Sequence, residues 1–112
     1  WLQSVDPNMI YLSVITLGEI TKGISLKQRS DPRAALSLRE WLERLRCDYA
    51  ERILPITDDI AIEWGRIASV RTRPMADGLI AATASVHHKT IVTRNADDFD
   101  DCGVPVVNPW LL

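Results

Sequence analysis

The chain has 112 residues, which is enough for one domain with one hydrophobic core. Apolar residues make up 46% and charged residues 25%, so the composition excludes disordered, collagen-like and disulfide-scaffold proteins. The net charge of −2 gives no overall basic field of the kind that passive nucleic-acid binders show. No apolar run approaches the about 18 residues that a membrane-spanning helix needs.

The first predicted elements are a strand and a helix. Residues 9–15 form a β-rich apolar run after a turn signal at residues 6–8, and this run predicts a buried strand. Thr16 is followed three positions later by Glu19, which is the spacing of a capping box. The pattern therefore predicts that a helix begins at Thr16.

A longer helix is predicted to begin at Asp31. Aspartate is a favoured N-cap residue, and Pro32 stands in the first turn, where proline is tolerated. Apolar residues then recur at spacings of three and four, which predicts one buried stripe. The members of this stripe are Ala35, Leu38, Leu42, Leu45 and Tyr49.

The second half of the chain alternates short apolar runs with helical patterns. Residues 53–56 predict a strand, and Thr57 is a candidate N-cap for the helix that follows. Residues 76–88 are apolar nearly all round, which predicts a helix packed on several sides. Residues 90–93 and 104–107 are rich in β-branched residues and predict strands on either side of a polar loop. The alternation predicts an α/β fold whose parallel sheet is covered by helices on both faces.

Acidic side chains follow the predicted strands. Glu19 comes after the first strand, Asp77 begins the apolar helix, and Asp97 and Asp98 lie in the loop after residues 90–93. Ligands of parallel sheets bind beyond the carboxyl ends of the strands. Carboxylates without His or Cys partners suit Mg²⁺ or Mn²⁺, and such ions can activate a water for phosphoryl displacement.

Each acid also has a purely structural interpretation. Glu19 can close the capping box, and Asp77 can be a first-turn acid favoured by the helix dipole. Asp97 and Asp98 can belong to a solvated loop. The spacing of these residues alone is compatible both with these structural roles and with metal binding.

The histidines and cysteines point away from a zinc site. His87 and His88 stand where a helix ends, and a cation there suits the helix dipole. Cys47 and Cys102 are too few for a zinc site, and they fit free thiols in a reducing compartment.

Three separate segments resemble those of PIN-domain toxins of the VapC/FitB-like group. Residues 11–24 resemble the second strand and helix of that family. Residues 74–84, which begin Pro-Met-Ala-Asp-Gly, look like the third-acid motif. Residues 91–99 together with 107–110 look like the C-terminal block. The resemblance covers essentially the whole chain, and the segments occur in the family's order.

The resemblance implies the toxin of a toxin–antitoxin pair, an endoribonuclease that cleaves RNA with a metal-activated water. The metal would be Mg²⁺ or Mn²⁺. The catalytic and metal-binding residues carried over by motif are Glu19, Asp77 and Asp98, with Asp97 as the alternative fourth acid. Supporting or substrate-binding roles fall to Thr93, Arg94 and Asn95.

The family also implies partners and a location. A cognate antitoxin, an RNA substrate and a homodimer are expected, in the cytoplasm of a prokaryotic cell and without a membrane. Compared with the family, the chain lacks the first strand and its acid, so residues 1–112 are expected to form one N-terminally incomplete PIN-like domain. Alternatives are an inactive truncated PIN domain that serves antitoxin binding or dimerisation, and another metal-dependent phosphohydrolase.

Overall fold

The computed structural model describes residues 10–93 and 95–108. These residues separate into two compact units, each with its own core. The first unit is Ile10–Pro55, and the second unit comprises the described residues from Ile56 onward. No helix in the described ranges is long and apolar enough to cross a membrane.

The first unit is a helical hairpin flanked by a pair of short strands. The strands are parallel, with Leu12 opposite Ile53 and Ser13 opposite Leu54. In chain order its elements are β1 (Leu12–Ser13), α1 (Val14–Ser30), α2 (Pro32–Asp48), a 3-10 helix (Ala50–Arg52) and β2 (Ile53–Leu54).

The start of α1 differs from the sequence-based prediction. Ser13 is the N-cap, and its hydroxyl accepts a hydrogen bond from the Ile15 amide at 3.0 Å. The predicted cap at Thr16 is therefore wrong, because the observed N-cap lies three residues earlier, and the predicted strand shrinks to β1. Both Ser13 and Thr16 can cap a helix, and the earlier residue does so although Val14 and Ile15 favour strand locally. Met9, the first residue of the predicted strand, lies outside the described residues.

The predicted start of α2 is confirmed. The Asp31 carboxylate accepts a hydrogen bond from the Ala34 amide at 3.1 Å, and Pro32 occupies the first helical turn. Asp31 also ends α1, because its amide donates to the Lys27 carbonyl at 2.8 Å. One residue thus closes the first helix and opens the second.

The core of the first unit lies between α1 and α2. Ile24 of α1 packs with Ala35 and Leu42 of α2. Leu45 is half-buried against them, as the predicted stripe requires, whereas Leu38 is 39% exposed. The inclusion of Leu38 in the buried stripe was wrong because the contact with α1 is narrower than the run of apolar residues.

The second unit contains two helices and a second pair of parallel strands. Ile91 pairs with Val106 and Val92 with Val107. Its elements are α3 (Asp58–Ala68), α4 (Met75–Val86), β3 (Ile91–Val92), a 3-10 helix (Ala96–Phe99) and β4 (Val106–Val107). Thr57 caps α3 as predicted, accepting from the Ile60 amide at 3.3 Å. Helices with parallel strands in both units confirm the predicted α/β class.

Helix α4 is buried on several sides, as its composition predicts. The residues that form the core of the second unit come from both helices, β3 and the segment after it. They are Ile60, Ile67, Ala81, Ala82, Ala84, Ile91, Phe99 and Cys102.

Helices α3 and α4 meet at a glycine. A Cβ added to Gly78 would lie 2.9 Å from Cδ1 and 3.0 Å from Nε1 of Trp64. The missing side chain at Gly78 therefore makes room for the indole ring. This contact lies in the first turns of α4, directly beside Asp77.

A polar contact joins the same two helices. The Ser85 hydroxyl donates to the Glu63 carboxylate, which also binds Arg66 at 2.5 Å. The hydrogen bonds from Arg66 and then Ser85 lower the pKa of Glu63, and desolvation only partly opposes them. Glu63 thus stabilises the fold in its charged form.

We expect Gly78→Ala to destabilise the chain. Overpacking costs about 1–3 kcal/mol and the gain in helix propensity is about 1 kcal/mol, so a net loss of about 1 kcal/mol is expected. Gly65→Ala is the matched control, because Gly65 lies within α3 with nothing within 4 Å of its added Cβ. That variant should gain about 0.5–1 kcal/mol in urea unfolding. Equal stabilisation by both substitutions would contradict the contact with Trp64.

The Glu63 contact predicts a pH-dependent effect. Because the pKa is lowered on folding, its stabilisation is present above the ordinary value of 4.5 and is lost as the pH falls through the folded-state pKa. Glu63→Gln should lower the thermal midpoint by about 2–4 °C at pH 7, and this difference should shrink steadily as the pH falls below 4.5. The exposed acid Glu51 supplies the control variant Glu51→Gln. A difference that keeps the same size as the pH is lowered would refute the charged contact.

Candidate metal centre

Glu19 lies on an exposed face of α1. It lines an open depression of about 300 Å³ with Val14, Ile15, Gly18 and Lys22. Because the helix begins at Val14, Thr16 is inside it and cannot be its N-cap. The capping-box interpretation of Glu19 is therefore wrong, which leaves its carboxylate without that structural role.

Asp77 is the third residue of α4 and is half-buried. Pro74 precedes the helix and supplies no side-chain cap. Asp77 is thus the acid of the first turn, where the positive end of the helix dipole stabilises a negative charge. The dipole and a metal ion both favour the ionised carboxylate, so the two interpretations of Asp77 are compatible.

The turn after β3 is organised by Thr93 and Asn95. The Thr93 amide donates to the Val107 carbonyl at 3.0 Å, which continues the pairing with β4. The Thr93 hydroxyl accepts from the Asn95 amide at 3.1 Å, and the Asn95 carbonyl accepts from the Asp98 amide at 3.0 Å. These two residues shape the backbone that presents Asp97 and Asp98. Arg94, the third predicted supporting residue, lies outside the described residues.

Asp97 and Asp98 both lie on the 3-10 helix Ala96–Phe99, and both are exposed. Phe99, next in the chain, is buried at 6% exposure and holds the segment to the core. The short helix therefore has one apolar anchor and two solvent-facing carboxylates. It brings Asp97 and Asp98 together at the end of β3, as the loop prediction requires.

Sequence reasoning missed two arginines that hold this acidic segment. Arg71 donates to the Asp97 carbonyl at 3.2 Å, and Arg73 donates to the Asp100 carbonyl at 2.9 Å. Arg73 also contacts the Cys102 thiol. No local pattern around either arginine marks it, because its partners are 26 to 29 residues away.

Cys102 is a buried thiol rather than a reactive one. Its burial raises its pKa, and the charges of Arg73 and Arg71 only partly oppose this effect. Cys47 is exposed, and both cysteines are free. The expectation of free thiols is confirmed, and the raised pKa argues against Cys102 as a nucleophile.

The donor set suits a hard divalent cation. The acids named above offer only oxygen, and Mg²⁺ binds through one or two carboxylates while it keeps several waters. Within the described part of either unit, no group of three or more His, Cys, Asp or Glu residues could hold a metal ion. His87 and His88 are exposed at the end of α4, which agrees with their predicted structural role.

Comparisons with known proteins agree on one family. The PIN domain model matches residues 1–104. Toxin FitB of Neisseria gonorrhoeae is 35% identical over 116 residues, which cover 98% of this chain and 82% of that protein. VapC ribonuclease Y4jK of Sinorhizobium fredii is 30% identical over 115 residues, covering 98% and 81%.

A solved structure agrees with the predicted fold. The crystal structure of FitAcB from Neisseria gonorrhoeae matches with a TM-score of 0.90 and 36% identity. The match covers 100% of this chain and 84% of that one. The similarity thus extends from sequence to backbone across the whole chain.

Proposed function

Because the chain belongs to the PIN-domain family, we propose that it is the toxin of a toxin–antitoxin pair and acts as a metal-dependent endoribonuclease. The similarity to VapC ribonuclease Y4jK over 98% of the chain is the observation that carries this proposal. The placement of carboxylates at the start of α4 and directly after β3 supports it.

We assign the metal ligands to Glu19, Asp77 and Asp98, with Asp97 as the alternative to Asp98. A bound Mg²⁺ or Mn²⁺ would supply an activated water and positive charge for phosphodiester cleavage. The exposed Glu19 and Asp98 can meet a hydrated ion without prior desolvation. The half-buried Asp77 lies in the first turn of α4, where the helix dipole favours a negative charge.

The supporting residues act on the backbone. Thr93 and Asn95 set the turn that presents the two exposed acids. We assign Arg94, by its place in the family motif, to phosphate contact. A guanidinium can bind a phosphate through paired hydrogen bonds, which suits an RNA backbone.

The partners follow from the same family. We propose that a cognate antitoxin holds the chain inactive and that the chain pairs as a homodimer in the bacterial cytoplasm. The similarity to Toxin FitB and to the FitAcB structure supports the pairing of a toxin with an antitoxin. Two free cysteines suit a reducing compartment.

Asp77→Asn should reduce RNA cleavage in the presence of Mn²⁺ by at least about 100-fold, because it removes one charged ligand while it keeps the shape. Asp59→Asn is the matched control, since Asp59 is a first-turn acid of α3 just as Asp77 is of α4. The control should stay within about twofold of the unsubstituted chain.

The same cleavage assay decides between the two acids of the 3-10 helix. Asp98→Asn should match the loss in Asp77→Asn, and Asp97→Asn should be milder. Cleavage that persists in Asp77→Asn and in excess chelator would contradict the metal mechanism. An unsubstituted chain that cleaves no RNA would refute the nuclease and favour the binding-module alternative.

A further inference from the structure

Two arginines of the loop between α3 and α4 bind residues 97–102, the acidic segment that carries Asp97 and Asp98. The Arg71 guanidinium binds the Asp97 carbonyl at 3.2 Å and lies 3.9 Å from the Asp101 carboxylate. Arg73 binds the Asp100 carbonyl at 2.9 Å and the Cys102 thiol. Most of these contacts go to backbone and thiol atoms, so they fix the course of the segment and leave Asp97 and Asp98 exposed.

The segment also contains two residues in the left-handed region. Asp101 has a φ of +65° and Gly103 a φ of +77°. Glycine adopts this region freely, and aspartate tolerates it better than most residues do. Contacts flank Asp101 in the chain, because Arg73 binds the Asp100 carbonyl and Cys102 is buried.

One buried donor of Arg73 lowers the stability of the folded state. Its Nε is buried and has no acceptor among residues 10–93 and 95–108. An unsatisfied buried donor weakens the folded state, yet the same guanidinium keeps its contacts with the Asp100 carbonyl and the Cys102 thiol. These two contacts tie Arg73 to the acidic segment in spite of that cost.

We propose that Arg73, assisted by Arg71, is a positioning residue that holds the 3-10 helix Ala96–Phe99 so that its carboxylates are placed for metal binding. This inference rests on the proposed nuclease function. Arg73 acts through the Asp100 carbonyl and Cys102 and has no direct part in the reaction. Without it, Phe99 still anchors the segment, but the turn at Asp101 relaxes and the carboxylates spread over several positions.

The reactivity of the Cys102 thiol reports locally on whether the arginine contacts with the acidic segment are intact. Cys47→Ser removes the exposed thiol, so alkylation by iodoacetamide then reports Cys102 alone. In that background Arg73→Met should raise the alkylation rate about tenfold, because each 1.4 kcal/mol lost from local closure is tenfold in open population. Loss of the Arg73 charge alone would raise the pKa of the thiol and slow the reaction. A faster reaction therefore reports opening.

The matched control is Arg66→Met, an arginine of the same unit that binds Glu63 and no atom of the acidic segment. It should leave the alkylation rate unchanged. Arg73→Lys keeps one charged donor and should recover part of the closure. The thermal midpoint of Arg73→Met should stay within about 4 °C of the parent, which separates local opening from unfolding.

Metal affinity and kinetics complete the test. Calorimetric titration with Mn²⁺ should show about tenfold weaker binding by Arg73→Met and unchanged binding by Arg66→Met. RNA cleavage should show a kcat about tenfold lower with KM within twofold, because substrate binding is untouched. In both the Mn²⁺ titration and the cleavage assay, Arg73→Lys should give values between those of Arg73→Met and Arg66→Met.

The outcomes separate the inference from the function on which it rests. An unchanged alkylation rate in Arg73→Met would contradict the proposal that Arg73 holds the acidic segment in place. Faster alkylation with unchanged Mn²⁺ affinity overturns the positioning role. A parent chain that binds Mn²⁺ but cleaves no RNA refutes the proposed nuclease, while the alkylation and calorimetric results still decide the role of Arg73.

Discussion

The contact of the Trp64 indole with Gly78 sets how closely α3 and α4 approach. A Cβ at Gly78 would force the ring or the helix to shift. Asp77 precedes this glycine and is half-buried at the positive end of the helix. The loop that joins the two helices then carries Arg71 and Arg73.

From that loop, the constraint extends to the other acids. Arg71 and Arg73 bind the backbone around Asp97 and Asp100, while Phe99 and Cys102 fix the same segment from within the core. The acidic 3-10 helix is therefore held by polar contacts on one side and apolar contacts on the other. This arrangement presents two exposed carboxylates on a short segment that is held at several points, which suits a site for a cation.

Local signals predicted the parts of the fold that depend on neighbours in sequence. Asp31 and Thr57 cap helices as expected, because a cap is decided within about four residues. The prediction of Thr16 as the N-cap was wrong because Ser13, a second hydroxyl residue that can cap a helix, lies three positions earlier. Ser13 caps α1 and is also the last residue of β1, which pairs with β2. Arg71 and Arg73 could not be found, since their partners are distant in sequence. Glu19, Asp77 and the pair Asp97 and Asp98 were picked out by their places after predicted strands, and the family resemblance favoured Asp98 within that pair. Their roles as ligands stay a prediction.

The proposed metal centre is tested most directly by a Mn²⁺ titration of the uniformly ¹⁵N-labelled chain, in which line broadening of the amide signals is measured. The paramagnetic ion broadens amides near its ligands first. We expect early broadening at Glu19, Asp77 and Asp98, its reversal by excess Mg²⁺, and sharp lines at the control acids Glu51 and Asp59. Broadening of exposed acids throughout the chain, or of none of the three assigned residues, would contradict a metal centre built from them.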